Sequence, residues 1–236
     1  MFKGKTLLGV GCSHVYAPLG EDFDPVSCHE RSWVKKLEKL AGFDNSVNLG
    51  QSGGSNQRSE RMIMEYLSSN DCSNLVIAFG ITDPSRFELP ITDPNFSFRY
   101  TMKPFGSWAA NKDYTKDPRE LQFIETLYSN FHNLSFENDM VNKRLLHLSV
   151  FLDRLNIEHY FIELHNHGGS IAQEQYGITL PLIRFFDKNG QPTNAIRYMM
   201  EHGIPYDYTG HFDHDGHEFL AQKFYEQIKK IKIDKK

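Results

Sequence analysis

At 236 residues, 39% of them hydrophobic and 24% charged, the chain is long enough to bury a real core and reads as one domain, 1–236, rather than two. A net charge of −4, with one dense basic run in the tail KKIKIDKK, excludes an electrostatic grip on nucleic acid, and three cysteines (Cys12, Cys28, Cys72) do not make a disulfide framework. The short apolar start is too brief for a signal-peptide core and no stretch approaches the ~20 apolar residues of a membrane span, so the expectation is a soluble, cytoplasmic protein with no membrane partner.

Residues 6–11 (TLLGVG) read as a buried strand that stops abruptly at glycine. Residues 32–40 (SWVKKLEKL) put Trp33, Val34, Leu37 and Leu40 on one helical face. A second short strand, 46–49 (SVNL), runs into the turn-rich GQSGGSN, and residues 57–67 are helical again. The third strand, 74–79 (NLVIAF), is almost wholly apolar, as expected when helices cover both faces. Strand, helix, strand, helix, strand is the signature of a parallel sheet with helices on both sides. The rhythm breaks at about 88–118, an insertion rich in aromatics and proline that predicts a short hairpin over the sheet edge, walling a pocket or forming a surface lobe. Residues 119–155 are mostly helical and 157–162 (IEHYFI) form a fourth strand. A weakly patterned connection with His165 and His167 follows, then a helix over 195–202 and an amphipathic helix over 218–231, apolar at Phe219, Leu220, Phe224, Ile228 and Ile231. The fold expected is a three-layer α/β/α sandwich, flavodoxin-like, with a parallel sheet of about five strands.

Ligands of such sheets bind at the carboxyl ends of the strands. Strand one is followed by Gly11-Cys12-Ser13-His14, strand two by Gly50-Gln51-Ser52-Gly53-Gly54-Ser55-Asn56, and strand three by Gly80-Ile81-Thr82-Asp83. Each of these is an ordinary turn signal alone; three at one sheet edge make a candidate site. Near the C-terminus, His211 sits in a loop with Asp207 and Asp213 before the last helix. A serine needs a neighbouring base to become a nucleophile, the base needs a carboxylate to orient it, and acyl transfer needs donors aimed at the oxyanion.

In this order the blocks resemble the SGNH (GDSL-like) hydrolase superfamily over nearly the whole chain. GCSH at 11–14 is similar to the nucleophile block, NLGQSGG at 48–54 to the second, FGITD at 79–83 to the third, and HFDHDGHEFLA at 211–221 to the last. The stretches ITDPSRFEL and GGSN are also similar to members found in phage and bacterial genomes. The resemblance implies Ser13 as nucleophile, His211 as base and Asp207 as its orienting acid, with Asp213 as fallback. It implies an oxyanion hole of Ser13 N–H, Gly53 N–H and the Thr82 side chain, and no cofactor. Thr82 stands where the family has an asparagine, and Asp207 stands one residue further from the histidine than the family carboxylate. The activity implied is hydrolysis of a small acyl ester, an O-acetyl group on a carbohydrate being the preferred class. The alternative is a catalytically weak glycan-binding or structural module, virion-associated if phage-encoded.

Other polar residues near the blocks carry weaker expectations. His14, Asn56, Asp83 and Arg86 are candidate substrate contacts, Arg86 having a surface ion pair as its other reading. Cys12, next to Ser13, is expected to be buried. The spacing of His211, Asp213, His214, Asp215 and His217 fits no standard zinc pattern, so no metal is expected; His217 is expected to pack at the helix start and Asp215 to cap that helix.

Overall fold

The computed structural model describes residues 1–20, 22–92, 100–105, 118–130, 133–165, 174–175, 177–206 and 210–234. The chain opens with β1 (Thr6–Val10), a one-turn helix α1 (Ser13–Tyr16), α2 (Pro25–Arg31), α3 (Trp33–Ala41), β2 (Asn45–Asn48), α4 (Asn56–Ser69) and β3 (Leu75–Ile81). An antiparallel hairpin of β4 (Phe87–Thr92) and β5 (Tyr100–Phe105) follows, then α5 (Pro118–Asn130), α6 (Leu134–Arg154) and β6 (Glu158–Glu163). The hairpin falls in the expected insertion, whose remainder, 93–99 and 106–117, lies outside the described residues. Short ladders pair β7 (Glu174–Gln175) with β8 (Ile178–Thr179), and, beyond β9 (Leu182–Ile183), β10 (Phe185–Phe186) with β11 (Pro192–Thr193). The chain ends with α7 (Ala195–Glu201) and α8 (His214–Asp234).

Five strands form one parallel sheet in the order β2-β1-β3-β6-β9. Side chains alternate across it, as the period of two requires. Leu7, Val76, Ala78, Tyr160 and Ile162 enter a core with Trp33, Val34 and Leu37 of α3 and Leu220, Phe224 and Ile228 of α8. Leu8, Val10, Ile77, Phe79 and Phe161 enter the opposite core with Ile63 of α4 and Val141, Leu145, Leu148 and Leu152 of α6. All seven residues of β3 are buried, which is why its sequence runs apolar without alternation. This is the expected three-layer α/β/α arrangement.

Some details differ from the sequence reading. Leu40 is 37% exposed, and Ala41 takes its place on the buried face of α3, because Trp33, Val34, Leu37 and Ala41 keep the helical stripe. The last helix begins at His214 instead of 218, since the carboxylate of Asp213 accepts the Gly216 N–H at 2.9 Å and starts it a turn earlier. Asp213 is therefore the cap, and Asp215 lies in the first turn, where its charge suits the helix dipole. Among the described residues no helix is long and apolar enough to cross a membrane.

The strand order reverses between β1 and β3, one running out to β2 and the other to β6 and β9. That reversal is the switch point at which open α/β sheets bind ligands, at the carboxyl ends of the strands. Ser13 lies three residues beyond the end of β1, at that point.

Candidate active site

β1 gives way to Gly11, at φ +153°, and then to α1 with Ser13 as its first residue. The helix is closed by Tyr16 N–H on Cys12 O (3.0 Å) and Ala17 N–H on Ser13 O (2.8 Å). The leading N–H groups of a helix have no acceptor within it, so the N–H of Ser13 faces forward from the helix start. Cys12 is fully buried in the core and offers no nucleophile to a ligand.

Glycines bring the other strand ends against this turn. Gly53 has φ +73°, and Gly54 N–H bonds Gln51 O at 2.9 Å, which makes residues 51–54 a type II turn that needs glycine third. The turn is tied to β1 by Gln51 N–H on Gly11 O, 3.1 Å. A Cβ on Gly50 would stand 2.5 Å from Tyr16 N, and one on Gly54 would stand 3.0 Å from Gly11 O. From β3, Gly80 lies so close that a Cβ on Gly11 would meet its carbonyl oxygen at 2.9 Å. The three glycine signals of the sequence are thus one feature: three strand ends packed backbone to backbone around Ser13.

The third loop is held from α4. Asn56, first residue of that helix, accepts Thr82 N–H on Oδ1 and donates Nδ2–H to Thr82 O, both at 2.9 Å. Asn56 is 5% exposed, and both ends of its amide engage the main chain of Thr82. Ser55 caps α4 by accepting Arg58 N–H, and Arg58 reaches back to Leu49 O at 2.9 Å. Arg58 and Arg61 also flank Glu88 of β4, whose carboxylate is 1% exposed, which moors the hairpin to α4. Thr82 is wholly buried and its Oγ1 has no hydrogen-bond partner among the described residues. Asp83 is buried and accepts Ser85 N–H at 2.9 Å in a turn, and Arg86 N–H bonds Asp83 O at 3.1 Å. Beyond them Ser85, Phe87, Leu89, Phe123, Leu127, Tyr128 and Glu137 line a largely apolar cavity of about 270 Å³, to which β4 contributes Phe87 and Leu89.

The histidine loop arrives from α8. The His14 ring lies 5.5 Å from that of His211, 4.4 Å from Phe212 and 4.9 Å from His165. His14 is buried, and its pKa falls well below the ordinary value, first through burial and then through His165, His211, His217 and Arg86. It stays neutral at working pH, with its ring against those of His165, His211 and Phe212, and the Arg86 guanidinium acts on it electrostatically. Ser13, 6% exposed, makes no side-chain hydrogen bond among the described residues. Catalytic hydrogen bonds are often loose without substrate and tighten in the complex. Asp207 lies outside the described residues. Asp213, the fallback acid, is engaged as the α8 cap.

Two features escape a reading of the sequence. Trp33 connects the site to its support: its indole N–H donates to His14 O at 3.1 Å, and its backbone N–H donates to His217 Nδ1 at 3.2 Å. Its helical spacing marks it only as core. A second serine–histidine pair, Ser149 Oγ with His159 Nε2 at 2.8 Å and Asp153 4.0 Å from Nδ1, sits at the amino end of β6. Ser149 is 1% exposed in mid-helix, and His159 Nδ1 already bonds Ile157 O, so this pair fastens α6 to the sheet. Among the described residues no group of three or more His, Cys, Asp or Glu could hold a metal ion.

No protein-family model and no curated protein sequence matches the chain. Solved structures do match. LAE5, an alpha/beta hydrolase enzyme from the metagenome of Lake Arreo, Spain, is 14% identical, covers 96% of each chain and superposes with a TM-score of 0.52. An arginine-to-alanine mutant of Axe2, an acetyl-xylooligosaccharide esterase from Geobacillus stearothermophilus, is 13% identical over 97% of this chain and 95% of its own, with a TM-score of 0.51. Likeness at this identity is likeness of fold: the chain shares with these hydrolases the three-layer α/β/α architecture that the sequence predicts.

Proposed function

We propose that this protein is a serine ester hydrolase working through an acyl-enzyme. The observation that carries the reading is the convergence of three glycine-bearing strand ends on Ser13 at the sheet's switch point, with His211 on the adjoining loop. Ser13 Oγ attacks the ester carbonyl while His211 takes its proton, then returns it to the departing alcohol. Water, deprotonated by His211, releases the acid by the same route. Asp207 orients the imidazole. The N–H groups of Ser13 and Gly53 and the hydroxyl of Thr82 receive the charge that grows on the carbonyl oxygen, a contribution worth about 3 kcal/mol per donor. This route needs no cofactor.

The substrate class we favour is a small acyl ester, an O-acetyl group on a carbohydrate. Its support is the fold shared with Axe2, an acetylxylan esterase, two of whose structures are catalytic mutants that replace a serine and an aspartate with alanine. One observation favours the second reading, a glycan-binding or structural module: Ser13 and His211 share no hydrogen bond among the described residues. Labelling with a fluorophosphonate, read by intact mass on wild type, Ser13→Ala and His211→Ala, separates the two. One adduct on wild type that both substitutions abolish supports the hydrolase. Folded wild type without an adduct at pH 8 refutes it in favour of the module.

A further inference from the structure

We propose that Asn56 is a positioning residue that fixes the Thr82 hydroxyl as the third oxyanion donor. The inference rests on the hydrolase reading and extends it to a residue that touches neither substrate nor reacting atoms. Thr82 is satisfied unevenly. Thr82 is 0% exposed, and its hydroxyl has no hydrogen-bond partner among the described residues, although a buried, unpaired hydroxyl is costly to fold. Its main chain is the opposite case, over-determined by one side chain. Asn56 takes the N–H and gives to the C=O of the same residue, each at 2.9 Å, across twenty-six positions of sequence.

An amide gripping both main-chain groups of one residue removes rotation of that peptide segment about the strand axis. A threonine hydroxyl is shorter than the amide it replaces in the family block. It can serve an oxyanion only if its backbone is held in register with Gly53 and Ser13. The grip comes from the first residue of α4, directly after the Gly53 turn and its Ser55 cap, so one helix start sets the second and third donors together. Arg58, bonded to Leu49 O, ties the same turn to the end of β2. The clamp is therefore a rigid link between the two loops that the reaction needs in fixed relation.

The test is the second-order rate of fluorophosphonate labelling at Ser13, since the phosphonyl oxygen occupies the oxyanion position. Four proteins suffice: wild type, Thr82→Val, an Asn56 variant and the double variant. Thr82→Val removes the hydroxyl and keeps the main-chain groups that Asn56 holds. Asn56→Ala frees both groups, and Asn56→Asp, keeping the acceptor and losing the donor, serves if the first fails to fold. Thermal midpoints are measured alongside. The expected result is a fall on the order of 10²-fold for Thr82→Val, a comparable fall for the Asn56 variant, and no more than about threefold further loss when the two are combined. The Asn56 substitution should lower the midpoint equally in both backgrounds. Additive losses, or an Asn56 variant that labels at the wild-type rate, overturn the proposal. Labelling of wild type that Thr82→Val leaves unchanged overturns it while the hydrolase reading stands. Absence of labelling on folded wild type sinks both.

Discussion

Acid should unfold this protein through His217, and the size of the effect follows from where its ring sits. His217 is buried, Nδ1 accepts the backbone N–H of Trp33 at 3.2 Å, and Nε2 has no hydrogen-bond partner among the described residues. Trp33 is the first residue of α3, so the imidazole satisfies one of the N–H groups that every helix start leaves open. Protonation destroys that acceptor and adds a charge beside Lys36, His211, Arg31 and His214. Burial first, then Lys36 and its other neighbours, depresses its pKa from 6.5 to about 3. A folded-state pKa below the unfolded one means that the unfolded chain binds the extra proton first. The stability is present above pH 6.5 and is lost progressively as the pH falls toward 3. At 1.36 kcal/mol per pH unit below the unfolded pKa, the loss between pH 7.5 and pH 5 is about 2 kcal/mol. His14, shifted the same way, adds to it. His217→Asn supplies an oxygen near the Nδ1 position and cannot be protonated in this range. Urea unfolding at pH 7.5, 6 and 5 should therefore show a pH dependence in wild type that His217→Asn reduces by about 2 kcal/mol. Equal pH dependence in the two proteins would refute the argument.

Three more outcomes follow. Gly50→Ala sets a Cβ 2.5 Å from Tyr16 N, a backbone atom that cannot swing away, so the folded variant should lose about 1–3 kcal/mol and label at Ser13 at least about tenfold more slowly. Ser149→Ala should cost about 1–2 kcal/mol in denaturant unfolding through the lost bond to His159, and leave labelling at Ser13 unchanged; loss of labelling would mean that the wrong serine has been chosen. Glu88→Gln leaves Arg58 and Arg61 without their shared carboxylate, at a cost of about 3 kcal/mol because Arg61 is partly exposed. Faster amide exchange across Phe87–Thr92 is the expected sign, and unchanged exchange would show that the hairpin is held by other contacts.

Much of the fold is legible in the sequence because periodicity carries it. The apolar runs of β1 and β3, the stripe on α3 and the glycines after each strand are local patterns that report burial and turning directly. What stays hidden depends on contacts distant in sequence. Asn56 follows a glycine-serine turn, where a polar side chain serves ligand or main chain equally well, and only the approach of Thr82 decides. The start of α8 is obscured because HFDHDGH is poor in helix formers. Gly216 is there for space, since a Cβ would stand 3.1 Å from Met199 Cε and from Phe212 Cβ. Strand β9 spans two residues in LPLIRFF, too short for a period to register. The nucleophile and base loops can be paired from chain order and resemblance, whereas the role of Trp33 between His14 and His217 requires the packed helices.

The two ends of this chain are stitched together, and that sets the order in which it can be completed during synthesis. Phe2 and Leu7 share one core with Leu220, Phe224 and Ile228. Glu158 holds Lys5 at 2.7 Å and Lys232 at 2.9 Å, and Lys232 also lies 3.8 Å above the Phe2 ring. One face of β1, packed in part by α3, is therefore completed only by α8. At translation speeds of about 5–20 residues per second, that face stays incompletely covered for on the order of 10–40 s after β1 is made. The nascent chain must be kept from aggregating over that interval. Because His211 precedes α8 by three positions, the step that closes the core also delivers the proposed base to Ser13. A ribosome-bound chain stopped before α8 should thus fail to label at Ser13.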